Sequence, residues 1–147
     1  MLRKAGVQAL RALLELAATP QQWRSVNEIA AAQDLPAPML EQLLLQLRRA
    51  QLVEARRGRL GGYRLERHPR EIAVGAVLQA VGAQPMLSQP AEPAEFGRAE
   101  ERVMLSLSHR LHQAMERELA ALTLEELIYD LRSWQESLSN DGGLMLG

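Results

Sequence analysis

The chain has 147 residues, of which 47% are hydrophobic, 24% charged and 3% aromatic, with no cysteine and a net charge of −1. This length suits one domain, or one small domain with an appended element, and the apolar share excludes an intrinsically disordered chain. The lack of cysteine excludes disulfides, a cysteine nucleophile, thiolate metal sites and any iron–sulfur cluster held by the chain's own thiolates.

The near-neutral total hides a division. Residues 1–70 hold 12 Lys+Arg against 6 Asp+Glu, whereas residues 71–147 hold 5 against 12. A basic front half and an acidic back half suggest a nucleic-acid face on a separate body. With few aromatics, the core must come from Leu, Ala, Val and Ile, which favours helices. No apolar run approaches the roughly 18–20 residues that span a bilayer, and the first residues lack a secretory leader's apolar core, so the expected location is cytoplasmic, with no membrane partner.

In chain order, LRKAGVQALRALLELAA spaces Val7, Leu10, Leu13, Leu14 and Ala17 as one helical stripe, stopped by Thr19-Pro20. Ser25 with Glu28 predicts a capping box and a short second helix carrying Ile29, Ala30 and Ala32. After DLPAP, a third helix begins with Pro38 in its first turn and buries Leu40, Leu43, Leu44 and Leu47. Two such helices joined by a tight connection make a helix-turn-helix. The period then changes to two at Leu52, Val53 and Ala55. A glycine turn follows, then Tyr63 and Leu65, which predicts a β-hairpin.

Residues 70–82 predict a short helix with Ile72, Val77, Leu78 and Val81 on its apolar side and Gly82 as its stop. Residues 83–97 read as a linker rich in proline. A long helix follows, with Val103, Leu107, Leu111, Met115 and Leu119 recurring every fourth residue as a stripe that requires a second surface to cover it. Thr123 with Glu126 opens a last helix through Leu127, Ile128, Leu131 and Trp134, and residues 139–147 are expected to be a flexible tail.

Three groups of residues carry possible chemistry. On the third helix, Pro38, Glu41, Gln42, Gln46 and Arg49 face outward. Glu41 could accept from cytosine and Gln42 could pair with adenine, or both could be ordinary solvated residues. The hairpin stretch RRGRLGGYRLER places Arg56, Arg57, Arg59, Arg64 and Arg67 around Gly61-Gly62, with only Glu66 as counter-charge. Its glycines lie between two strands with no Lys-Ser/Thr pair, which excludes a nucleotide phosphate loop. Arginine at a hairpin tip suits the concentrated negative potential of a narrow minor groove, with flanking arginines on phosphates. His109, His112 and Glu116 have only weak metal-ligand spacing and read as a solvated face, so no metal site is assigned. Trp23 and Trp134 read as packing residues, and no combination of residues points to an enzyme.

The segment from QALRALLELAA through SVNEIAAAQDLPAPMLEQLLLQLRRAQLVEARRGRLGGYRLERHPREIAVGAVLQAVG resembles the Rrf2 family of bacterial transcription regulators. The most specific pieces are Leu-Glu-Gln at 40–42, Leu47-Arg48 and the Arg57-Gly58…Gly61-Gly62-Tyr63 wing. The resemblance implies a winged-helix repressor acting as a homodimer on a partly palindromic double-stranded DNA operator, the long helix crossing its partner. By position, Glu41 matches the acid that reads a base and Arg57 the arginine that enters the minor groove. Gly61 and Gly62 match the glycines allowing the sharp turn and close approach to the backbone.

Gln51 and Ala55 depart from the family's usual Gly and Ser, and Met39 from its aromatic. Many members hold a [2Fe–2S] or [4Fe–4S] cluster through three cysteines in the region matching about 83–105, where this chain has none. The cluster is therefore not expected, leaving a small molecule or a partner protein as signal, or no regulation. The rival reading is a winged-helix protein-interaction module that has lost DNA binding. The expected fold is mainly α with a small β-hairpin wing: a winged helix-turn-helix over 1–82, the linker at 83–97, dimerisation helices over 98–138 and the tail.

Overall fold

The computed structural model describes residues 2–86 and 97–146. Most of the expected linker, residues 87–96, thus lies outside the described residues. The elements are α1 (Lys4–Ala18), α2 (Val26–Gln33), α3 (Ala37–Arg49), β1 (Val53–Arg56), β2 (Gly62–Leu65), a 3-10 turn (Pro69–Glu71), α4 (Val74–Ala80), α5 (Ala99–Ala121) and α6 (Leu124–Leu146).

Helix α1 is the central element, touching α2, α3, α4, β2 and α6. Its fully buried residues are Ala9, Ala12, Leu13 and Leu16, whereas Val7 is 37% exposed and Leu14 and Ala17 are only half-buried. The expected stripe is therefore rotated. Several neighbours crowd one helix, and the methyl side chains of Ala9 and Ala12 let their backbones approach, so the small residues go inward.

Ser25 caps α2 as predicted: its hydroxyl accepts from the Glu28 amide at 3.1 Å, and the Glu28 carboxylate accepts from the Ser25 amide at 3.5 Å. Asp34 turns left-handed at φ 53, and the Leu35 amide closes onto the Ala30 carbonyl. The chain turns here and α3 starts after Pro36, completing the helix-turn-helix. Leu40, Leu43, Leu44 and Leu47 are all buried, as their spacing predicted. Burying each such side chain contributes roughly 1.5–3 kcal/mol.

One departure from the pattern of the family the chain resembles falls at the exit from α3. Gln51 adopts φ 61, a left-handed conformation that glycine takes freely and other residues reach at a cost of roughly 1–2 kcal/mol. It is held there by its amide on the Arg48 carbonyl, and Leu52 closes onto Leu47. The hairpin pairs Val53 with Leu65, Glu54 with Arg64, Ala55 with Tyr63 and Arg56 with Gly62. On its other edge Tyr63 exchanges two backbone hydrogen bonds with Arg24, at 2.9 and 2.7 Å. The residues before α2 are therefore tied to the wing by an isolated β-bridge at Arg24.

Ile72, Val77, Leu78 and Val81 are buried as expected, although α4 itself begins only at Val74, after the 3-10 turn. Gly82 ends it at φ 65. Backbone bonds from Val74 to Leu122 and from Leu124 to Ile72 tie this region to the α5–α6 junction.

Helix α6 continues through Leu146, so residues 139–146 extend the helix instead of forming a loose tail. No proline follows Leu124, so each added residue can extend a ladder already nucleated at Thr123. Trp134 does not act as a packing residue: it is 67% exposed.

Candidate nucleic-acid interface

Burying Leu40, Leu43, Leu44 and Leu47 forces the opposite side of α3 outward. Pro38, Glu41, Gln42 and Arg49 are exposed there, and Gln46 is half-buried at its edge. Among the described residues, the side chains of Glu41 and Gln42 have no hydrogen-bond partner, so their polar atoms remain available to a ligand. Leu45, exposed one turn beyond Glu41, shares this face. An apolar side chain so placed can meet a thymine methyl. Reading only polar positions overlooked it, although its four-residue spacing from Glu41 was visible.

Strand β1 packs against α3 and leads into the hairpin tip, residues 57–61. Gly58 has φ 107, and the Gly61 amide donates to the Gly58 carbonyl at 3.0 Å. A Cβ at Gly61 would lie 2.0 Å from the Arg56 carbonyl oxygen, so the sharp turn requires glycine. Gly62, at φ 145, would place a Cβ 2.3 Å from the carbonyl oxygen of Arg24. The close backbone approach at Gly62 is therefore to the chain's own Arg24 backbone.

The arginines divide by what they touch. Arg24 is held by Glu15 at 3.1 Å and Glu28 at 3.4 Å, and Arg64 pairs with Glu54 across the strands. Arg56 donates to the Leu60 carbonyl at 3.1 Å and lies over the Trp23 ring, 5.1 Å from its centroid. Arg57 and Arg59, both exposed, have no hydrogen-bond or ion-pair partner among the described residues. Two uncompensated guanidiniums at a hairpin tip form a site for anionic oxygens. Trp23 and Arg64 complete this neighbourhood. No sequence signal pointed to Trp23, because it lies far from the wing along the chain.

The predicted stripe of α5 divides in the fold. Val103, Leu107 and Leu111 are 58%, 45% and 51% exposed. Met115 is half-buried, and Leu119 packs on the chain's own core over Gly75 of α4. Between α4 and α5 runs a groove of about 690 Å³, lined by Gly75, Gln79, Met86, His112, Met115 and Leu119 among others. His112 meets Glu116 at 3.1 Å, but His109 does not join them, and no metal-holding group of three occurs among the described residues. A thiolate-ligated iron–sulfur cluster does not fit this donor set, since the chain has no cysteine. Among the described residues no helix is long and apolar enough to cross a membrane.

The family model Rrf2, described as an iron-dependent transcriptional regulator, matches residues 2–130. A relative in Synechocystis sp., named as an HTH-type transcriptional regulator, is 42% identical over 133 residues, 86% of each chain. The solved structure of IscR from T. potens superposes with a TM-score of 0.72 at 29% identity, covering 92% of this chain and 90% of that one. The structure of CymR, the global cysteine regulator of B. subtilis, gives 0.71 at 31% identity, covering 88% and 96%.

Proposed function

The chain belongs to the Rrf2 family of DNA-binding transcriptional regulators, and from that premise we propose that it is a cytoplasmic homodimer that represses by occupying a double-stranded operator. The observation that carries the reading is the pair of unpaired arginines, Arg57 and Arg59, at the tip of a hairpin packed on α3. Outward residues of α3 read base edges in the major groove, with Glu41 accepting from cytosine N4 and Gln42 facing adenine. Arg57 enters the minor groove, and Arg59 and Arg49 hold phosphates. The uncovered face at Val103, Leu107 and Leu111 supports pairing through α5.

Titration of labelled operator DNA with Arg57→Ala tests the wing. Loss of a minor-groove arginine should weaken binding by about 5–150-fold, the equivalent of ~1–3 kcal/mol, and leave the oligomeric state unchanged. Equal affinity in the variant and the parent would remove Arg57 from the interface and favour the protein-interaction reading.

Regulation does not pass through a cluster bound by this chain's thiolates. Protein purified without oxygen is expected to show no sulfur-to-iron charge-transfer absorption in the visible range, and such bands would contradict the cluster-free reading. The groove between α4 and α5 favours a second reading of the signal. Its size suits a small molecule, and it lies between the DNA-binding part and the proposed dimerisation helix. An effector or partner seated there would bias the angle between them.

A further inference from the structure

Trp23 belongs to neither the recognition helix nor the hairpin, yet two wing arginines converge on its ring. The Arg64 guanidinium carbon lies 4.2 Å from the indole centroid and that of Arg56 5.1 Å. Two cations beside one ring would repel each other if both were bare. Arg64, however, is neutralised by Glu54 on the paired strand, which leaves Arg56 as the uncompensated charge attracted to the ring.

Arg56 also reaches across the hairpin to the Leu60 carbonyl. It thereby braces the tip at both ends: its own backbone precedes Arg57, and the carbonyl it holds follows Arg59. The indole is itself fixed to the wing, because its neighbour Arg24 exchanges two backbone hydrogen bonds with Tyr63. The order of contacts is Glu54, Arg64, Trp23, Arg56, Leu60.

We propose that Trp23 is a positioning residue for DNA binding, holding Arg56 against its ring so that the 57–61 tip presents Arg57 and Arg59 in one pose. This rests on the wing reading above. Gly58 and Gly61 make the tip permissive, so without the brace it would sample many conformations and lose them on binding. One exposed cation–π contact of ordinary strength, that of Arg56, corresponds to about 2–5-fold in affinity.

The test uses the full-length chain, with amide hydrogen exchange measured without DNA and operator affinity measured in parallel. Trp23→Ala should raise exchange at residues 57–61, keep α1 protected and weaken binding by about 2–5-fold. Trp23→Tyr, which keeps an aromatic face, should restore most of both. Arg56→Gln removes the same contact from the other side and should loosen the tip with Trp23 in place, so the idea stays testable if Trp23→Ala fails to fold. Unchanged tip exchange in Trp23→Ala and Arg56→Gln would overturn the proposal. So would unchanged affinity in Trp23→Ala when Arg57→Ala does weaken binding, although the wing reading would then stand. If Arg57→Ala also leaves affinity unchanged, the wing reading itself fails.

Discussion

Operator affinity is expected to fall by about 10³–10⁵ between roughly 50 and 200 mM salt, the largest single effect anticipated for this protein. The magnitude follows from which cations are available. Arg24 and Arg64 are committed to Glu15, Glu28 and Glu54 and release no counterions on binding. Arg57 and Arg59 at the tip, with Arg48 and Arg49 at the end of α3, are exposed and have no ion-pair partner among the described residues. Three to five phosphate contacts from each protomer would give about 6–10 in a dimer, and the slope of log K against log salt is about −0.9 per contact. Fluorescence anisotropy at several salt concentrations measures it directly. A slope near zero would mean that the arginines do not neutralise phosphates, and Arg59→Ala should make the slope shallower by about one per protomer.

The second large effect is expected from Leu107→Glu combined with Leu111→Glu. Both leucines are exposed and neither belongs to the core around α1, so the winged unit should keep its stability. Helix α5 has 23 residues and is therefore ~35 Å long at about 1.5 Å per residue. Its uncovered stripe is long enough to cross a second copy. Paired carboxylates there would have to be buried without partners, which such an interface does not tolerate. Sedimentation should show a monomer. Losing the link between two half-site readers should lower operator affinity by about 10²–10⁴. A variant that still sediments as a dimer would place the interface elsewhere, with the exposed Tyr129, Trp134 and Leu138 of α6 as the next surface to test.

Much of the fold was legible because local patterns and tertiary contacts agree. The four leucines of α3, the Ser25–Glu28 box and the change of period at Leu52 each specify an element by short-range physics. The tip arginines could also be found from composition, since nothing acidic sits beside them in sequence. Local reasoning failed where several elements meet. Periodicity on α1 could not tell that Ala9 and Ala12, and not Val7, would face inward, because that depends on how closely the neighbouring helices pack. It also could not tell that Leu119 packs, half-buried, against the core while Leu111, two turns earlier on the same stripe, stays exposed.

The sequence by itself determined the helix-turn-helix, the basic hairpin, the long amphipathic helix and the absence of any thiolate for a cluster. These follow from residue type and spacing within single elements. The tertiary structure decided which carboxylates hold the other arginines. In sequence Arg24 stands four residues from Glu28 and Arg64 two from Glu66, but nothing local points to Glu15 or Glu54 as their partners. Folding brings Glu15, Glu28 and Glu54 to Arg24 and Arg64, while the left-handed turn at Gly58 carries Arg57 and Arg59 beyond the reach of any carboxylate among the described residues. It also decided why Gly62 is glycine and where Trp23 lies, since both depend on the Arg24 backbone pairing with Tyr63 across a gap in the chain that no periodicity spans.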